Sequence, residues 1–157
     1  MSMKTPPLPF EDDFLAALRT LFEEKIAFNR IIGLHVGTVS GEGMTGWLEM
    51  RPELIGGHQR LHGGVISAAL DSAAGLAVMG AIGARHMDEP PAQRMARFAK
   101  LSTIDLRIDY LRPASGRRFD LAAEVLRLGS RVATVRMTFG GDDGRLLASG
   151  AAAYMIS

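Results

Sequence analysis

"LHGGVISAALDSAAGLAVMGA", residues 61–81, is nearly all small or apolar, yet it opens on a histidine and two glycines and carries one carboxylate, Asp71. Between Val65 and Ala84 that carboxylate is the sole charge, over a length close to a bilayer span. The residues are mostly Ala, Gly and Ser, which gain little from lipid. The segment also lacks the Trp/Tyr flanks and positive-side bias of a spanning helix. The expected reading is therefore a soluble helix buried on all sides, with no membrane span. Such a helix needs cover on several sides. A curved antiparallel sheet wrapped around it supplies most of that cover, and a second copy of the chain closes the rest.

The flanking segments supply that sheet. Upstream, "PFEDDFLAALRTLFEEKIAF" (9–28) has the spacing of an amphipathic helix starting near Glu11 to Asp13, where acidic residues suit the positive end of the helix dipole. "LHVGTVS" and "GMTGWLEMR" read as a hairpin turning at "SGEG", and "AQRMARFAK" as a short helix after Pro90 and Pro91. In "TIDLRIDYL" the alternation puts Ile104, Leu106, Ile108 and Tyr110 on one face and Thr103, Asp105, Arg107 and Asp109 on the other, predicting a half-buried strand. Three more strands follow, turning at "GS" and "GGDDG". The expectation is an α+β chain with one domain over residues 1–157, its first ten residues flexible.

Composition removes several function classes. With 18 Lys+Arg against 17 Asp+Glu the net charge is +1, and no block of like charge offers a nucleic-acid footprint. There is no cysteine, hence neither disulfide nor thiolate chemistry. "MSMKTPPLPFEDD" lacks an apolar signal core, which makes the cytoplasm the default location. His35, His58, His62 and His86 lack the paired spacing of a zinc helix, and no nucleophile elbow, phosphate loop or dinucleotide fingerprint occurs.

Two features point to chemistry. Glycines at the first turn of a helix expose N–H groups with no partner inside the helix, so Gly63 or Gly64 can serve as an oxyanion donor; the plainer alternative is a tight turn capped by His62. Asp71 is costly in mid-helix without a reason, and as a general base it has one. Ser67, four residues earlier, is placed to hydrogen-bond it. The plainer alternative is a carboxylate turned to solvent or ion-paired across an interface.

"LHGGVISAALDSAAG", with Asp71 eight positions after Gly63, resembles the active-site helix of hotdog-fold acyl-CoA thioesterases of the PaaI type. "FNRIIGLHV", "TIDLRIDYLRP", "RLGSRVA" and "ASGAAAYMIS" are similar to segments of the narrower YigI-type group, which acts on medium- and long-chain acyl-CoA. The resemblance covers the chain from about Phe28 onward. It implies a hotdog fold, with subunits paired edge to edge into a continuous sheet, a homodimer and further a dimer of dimers. In that arrangement the Gly63 N–H polarises the thioester carbonyl, and Asp71 of the partner subunit acts as general base or nucleophile. Thr103 matches the Ser/Thr that holds the water. His62, Gly64 and Ser67 lie beside the substrate, and Gly129, Ser130 and Arg131 meet the coenzyme A phosphates, the plainer alternative for Arg131 being a solvated turn charge. The implied reaction belongs to fatty-acid metabolism, hydrolysing a fatty or aryl acyl-CoA without metal or cofactor.

The pattern departs from the family at one place. PaaI-type enzymes carry Asn or Gln six residues before the histidine, where this chain has Gly56, in a loop about two residues shorter than the YigI-type one. His58 or Gln59 is the expected substitute. The rival readings are a noncatalytic acyl-CoA sensor on the same fold, and a dehydratase or hydratase using His62 with Asp71.

Overall fold

The computed structural model describes residues 9–157. Helix α1 (Asp12–Arg19) starts with Asp12 and Asp13 in its first turn and runs into a π-helical turn, Thr20–Lys25. The single helix expected over 9–28 breaks at Ile26, which is extended, and α2 (Ala27–Ile32) follows. It ends at Gly33, whose φ of +67° is the left-handed conformation that closes helices at little cost to glycine. Then come β1 (His35–Val39), β2 (Gly43–Glu49), α3 (Gly63–Arg85), α4 (Pro91–Ala96), β3 (Ser102–Tyr110), β4 (Arg118–Leu128), β5 (Val132–Gly141) and β6 (Leu146–Met155).

The six strands form one antiparallel sheet in the order β1-β2-β4-β5-β6-β3. Its inner face, including Leu48, Leu121, Val135, Met137 and Phe139, closes on α3 with alternate residues of β4 and β5 buried. This is the hotdog arrangement, a sheet wrapped around a central helix. Helix α3 has the length and apolarity to cross a bilayer, but about two thirds of its apolar stretch is buried inside the protein. Its small side chains let neighbours approach closely. At Gly83 a Cβ would come within 2.5 Å of the Phe14 ring, so α1 docks there because the helix offers no side chain.

The N-terminal arm is firmly seated. The expected flexibility of residues 1–10 falls, for 1–8, outside the described residues, while Phe10 is buried edge-on against Phe14 with ring centroids 5.0 Å apart. Arg94 of α4 is fully buried, bonding Glu11 at 2.5 Å with its guanidinium 4.2 Å above the Phe14 ring.

Strand β3 departs from the expected alternation. It lies at the sheet edge, paired with β6 alone among the described residues, and none of its residues is fully buried. Its register slips: Thr103 opposes Tyr154 and Asp105 opposes Ala153, which leaves Ile104 as the extra residue of a β-bulge. The bulge transfers Thr103 to the helix side with Leu106, Ile108 and Tyr110, and turns Ile104 out to 56% exposure. The predicted two faces are thus exchanged at 103 and 104.

Candidate active site

The helix head is built by a tight loop. Ile55 bridges Leu61, and the Gly56 N–H donates to the Arg60 carbonyl at 2.7 Å. Closing it in so few residues puts His58 and Gln59 both at positive φ, +58° and +56°, a conformation that costs non-glycine residues roughly 1 kcal/mol or more. Both side chains are exposed and make no hydrogen bond among the described residues. At Gly56 a Cβ would sit 3.1 Å from the His62 Cα, so the amide side chain found there in PaaI-type enzymes would have to push the turn aside.

The loop delivers His62 as the N-cap of α3. Its Nδ1 accepts the Gly64 N–H at 2.9 Å, and its carbonyl accepts from Val65 and Ile66. The plainer reading of His62 therefore holds for the cap, and it takes Gly64 out of contention as a free donor. The Gly63 N–H is left with no acceptor among the described residues. It stands at the positive end of a 23-residue helix, in the position where an oxyanion is best stabilised. On its other side, the Gly63 carbonyl accepts from Tyr110 at 3.0 Å, and a groove of about 350 Å³ opens here between Arg60, Ile66, Tyr110 and Arg112.

Asp71 is half-buried, and its carboxylate is held. Thr103 donates to Oδ1 at 2.9 Å, which the bulge in β3 makes possible. Tyr154 of β6 donates to the same oxygen at 2.5 Å and lies 2.6 Å from the Asp71 main-chain carbonyl. Burial, then the neighbouring Asp71 carboxylate, push the Tyr154 phenol far above its ordinary range, against opposing contributions from Thr103 and Gly75; it stays a proton donor. Ser67 does not join them: it donates to the Gly64 carbonyl at 3.1 Å, the back-bonding common to serine in helices. Next to Asp71, Ser72 donates to Asn29 Oδ1 at 2.8 Å, and the buried Asn29 amide donates to the Phe22 carbonyl in the π-helical turn at 2.9 Å. Asn29 thereby ties the N-terminal arm to α3 beside the carboxylate.

Tyr154 and Asn29 escaped the sequence reading. Tyr154 carried a faint signal, a hydroxyl at the end of an alanine-rich strand; Asn29, in a short helix, carried none.

Gly129, Ser130 and Arg131 form the β4–β5 turn, held by Arg85, which donates to the Gly129 and Leu128 carbonyls at 2.7 and 2.5 Å. A cationic cavity of about 390 Å³ adjoins it, lined by Arg85, His86, Arg97, Lys100 and Ser130. At 1.5 Å per residue this end of α3 is about 33 Å from Gly63 and about 21 Å from Asp71. One chain thus groups Asp71 with Thr103 and Tyr154, Gly63 with His62 and Tyr110, and the turn by itself. Among the described residues no cluster of three or more His, Asp or Glu side chains is placed to hold a metal ion.

Comparison with known proteins agrees with this architecture. The sequence profile of the thioesterase superfamily matches residues 58–148. The chain is 36% identical to the medium/long-chain acyl-CoA thioesterase YigI of Escherichia coli K12, over 87% of this chain and 89% of that one. Among solved structures, a provisionally assigned thioesterase of Syntrophus aciditrophicus is 39% identical with a TM-score of 0.84, covering 93% of this chain and 97% of that one. A Shewanella oneidensis protein related to the thioesterase superfamily is 33% identical with a TM-score of 0.86, covering 92% and 96%. The profile covers the active-site helix and most of the sheet, the relatives add the N-terminal arm, and the chain belongs to the thioesterase superfamily, hydrolases of the thioester bond.

Proposed function

We propose that this protein hydrolyses medium- or long-chain acyl-CoA to the free acid and coenzyme A, as a homodimer in which Gly63 of one subunit works with Asp71 of the partner subunit. The observation that carries this reading is a separation. A reacting carbonyl must lie about 3 Å from its oxyanion donor and only one water, itself about 3 Å from each partner, away from its base, yet Gly63 and Asp71 are eight residues apart on one helix, about 12 Å along its axis. A second α3 running antiparallel brings one of each together. The outer edge of β3, which no other strand among the described residues covers, favours that assembly, because a nine-residue strand edge is a template for another strand.

In this reading the carbonyl oxygen lies on the Gly63 N–H, whose donation strengthens as the oxygen becomes an oxyanion. The free Asp71 Oδ2 takes a proton from water as the water oxygen attacks the carbonyl carbon. Collapse of the tetrahedral intermediate breaks the C–S bond, and the thiolate recovers the proton. Thr103, its own proton committed to Oδ1, keeps lone pairs that accept from the water. Direct attack by Asp71 would use the same residues, and single turnover in ¹⁸O-water separates the routes by labelling the aspartate. The cationic cavity by the β4–β5 turn suits the coenzyme A phosphates, and the small-residue surface of α3 suits an acyl chain. The medium- to long-chain preference draws on the YigI relative.

The test is thiol release from acyl-CoA of graded chain length and from aryl thioesters, with wild type, Asp71→Asn and Asp71→Ala. Expected is turnover rising toward medium or long chains and lost about 10²- to 10⁴-fold in both variants. Saturable binding without turnover would make the protein an acyl-CoA sensor. Hydration of an enoyl thioester in its place would make it a hydratase.

A further inference from the structure

The chain has two tyrosines, and each sets its hydroxyl within hydrogen-bond distance of the main-chain carbonyl of a residue placed in the reaction: Tyr110 at Gly63 and Tyr154 at Asp71, where its single proton is shared between the carbonyl and Oδ1. Tyr154 does more, because it reaches the carboxylate as well. We infer that Tyr154 is a positioning residue for hydrolysis, locking the Asp71 side chain against its own backbone so that Oδ2 alone faces the reacting water. The inference rests on Asp71 being the base.

The geometry is a clamp across one residue. The phenol oxygen is 2.6 Å from the Asp71 carbonyl and 2.5 Å from its Oδ1, so one hydroxyl spans both ends of the side-chain torsions. A free aspartate on a helix samples several rotamers, and bridging Oδ1 to the backbone leaves one. Thr103 fills the same oxygen from the other strand at 2.9 Å, and no partner reaches Oδ2 among the described residues. The clamp is rigid because Tyr154 is only 3% exposed and belongs to a strand bonded on both sides, by β5 and β3. Opposite it, Gly75 presents no side chain to the ring, and a Cβ there would stand 3.8 Å from Tyr154 Cε1.

Two effects of such a hydrogen bond oppose each other. Donation to a carboxylate stabilises the anion and weakens it as a base, whereas fixing it in the attack geometry raises the effective concentration of the base. Misplacement of a catalytic group by about 1 Å can cost on the order of 10²-fold in rate, which outweighs the gain in basicity from losing one of two donors on the far oxygen. The sign of the effect on kcat therefore separates positioning from electrostatic damping.

The experiment is a double-mutant cycle on the full-length protein with Tyr154→Phe, Asp71→Asn and the combination. It reads kcat and KM for one acyl-CoA substrate and Tm for each variant. Expected for Tyr154→Phe is a kcat lower by about 10- to 100-fold with KM within about twofold, and no further loss when it is added to Asp71→Asn, since it acts through that carboxylate. A kcat equal to or above wild type, with Asp71→Asn inactive, would overturn the positioning role and leave Asp71 as the base. An equal loss from Tyr154→Phe in both backgrounds would overturn it as well, showing a purely structural effect. Wild-type turnover by Asp71→Asn would overturn both this inference and the reading beneath it. Should Tyr154→Phe lower Tm too far to assay, Tyr154→Met, a flexible apolar side chain that also lacks the hydroxyl, takes its place in the cycle, with the same expected fall in kcat at steady KM.

Discussion

Gly63→Pro deletes the N–H at the head of α3 that has no acceptor among the described residues, at a position built to accept proline. Gly63 is the first residue of the helix, where proline is favoured because that N–H has no helical partner. The preceding His62 has φ −63° and ψ 134°, the extended conformation that a following proline requires. A Cβ at 63 would meet Tyr110 Cε1 at 3.4 Å, an ordinary contact. Stability should hold or rise by up to about 1 kcal/mol through loss of unfolded-state freedom. Turnover should fall about 10²- to 10³-fold, or about 3–4 kcal/mol of transition-state stabilisation, because one oxyanion donor is gone. Thiol release measures kcat, and thermal unfolding shows whether the fold is intact. Gly63→Ala places a Cβ at the same site but keeps the N–H, so the ratio of the two variants reports the N–H alone. Mixing refolded Gly63→Pro with Asp71→Asn carries the test further. Random pairing makes half the dimers hybrid, each with one of its two sites intact, so about one quarter of wild-type activity should return. Equal turnover by the proline and alanine variants would refute the oxyanion role, and no recovery on mixing would refute a site shared between subunits.

Thr103→Val removes one of the two donors on Asp71 Oδ1 and should lower kcat about 10- to 100-fold, with Thr103→Ser restoring most of it; thiol release with both variants checks this. Asn29→Ala leaves the Phe22 carbonyl and the Ser72 hydroxyl unpaired in a buried place and should cost about 2–4 kcal/mol in a urea unfolding titration. The hydrogen bond from Arg94 holds the Glu11 carboxyl below its ordinary 4.5, so its stabilising contribution is full above that pH and lost as pH falls through the lower folded value. The Tm difference between wild type and Glu11→Gln should accordingly be largest near neutrality and shrink toward zero in acid. Light scattering should give about twice the 16.9 kDa of one chain, in keeping with paired β3 edges, or about four times where those dimers pair again, and the mass of a single chain would refute the shared site.

The central helix and its single carboxylate were legible from residue type alone. A run this apolar must be buried, a sheet is what the flanking alternation offers to bury it, and a lone aspartate in such a helix demands a partner. The glycines at its head announced free N–H groups because helix ends leave them unpaired whatever surrounds them. These are local rules, which need only neighbours in sequence.

Tertiary structure decided what depends on register and long-range pairing. Strict alternation put Thr103 outside and Ile104 inside, and one inserted residue against β6 reversed them, because side-chain direction in a strand has period two and a bulge resets it. Which glycine keeps its N–H free followed from the rotamer of His62. Tyr154 meets Asp71 across 83 positions only because β6 lies inside β3 in the sheet, and Asn29 meets Ser72 because the helical arm breaks at Ile26 and folds back. Periodicity within a segment is blind to the order in which strands pair, so the carboxylate could be found from the sequence while the hydroxyls that hold it could not.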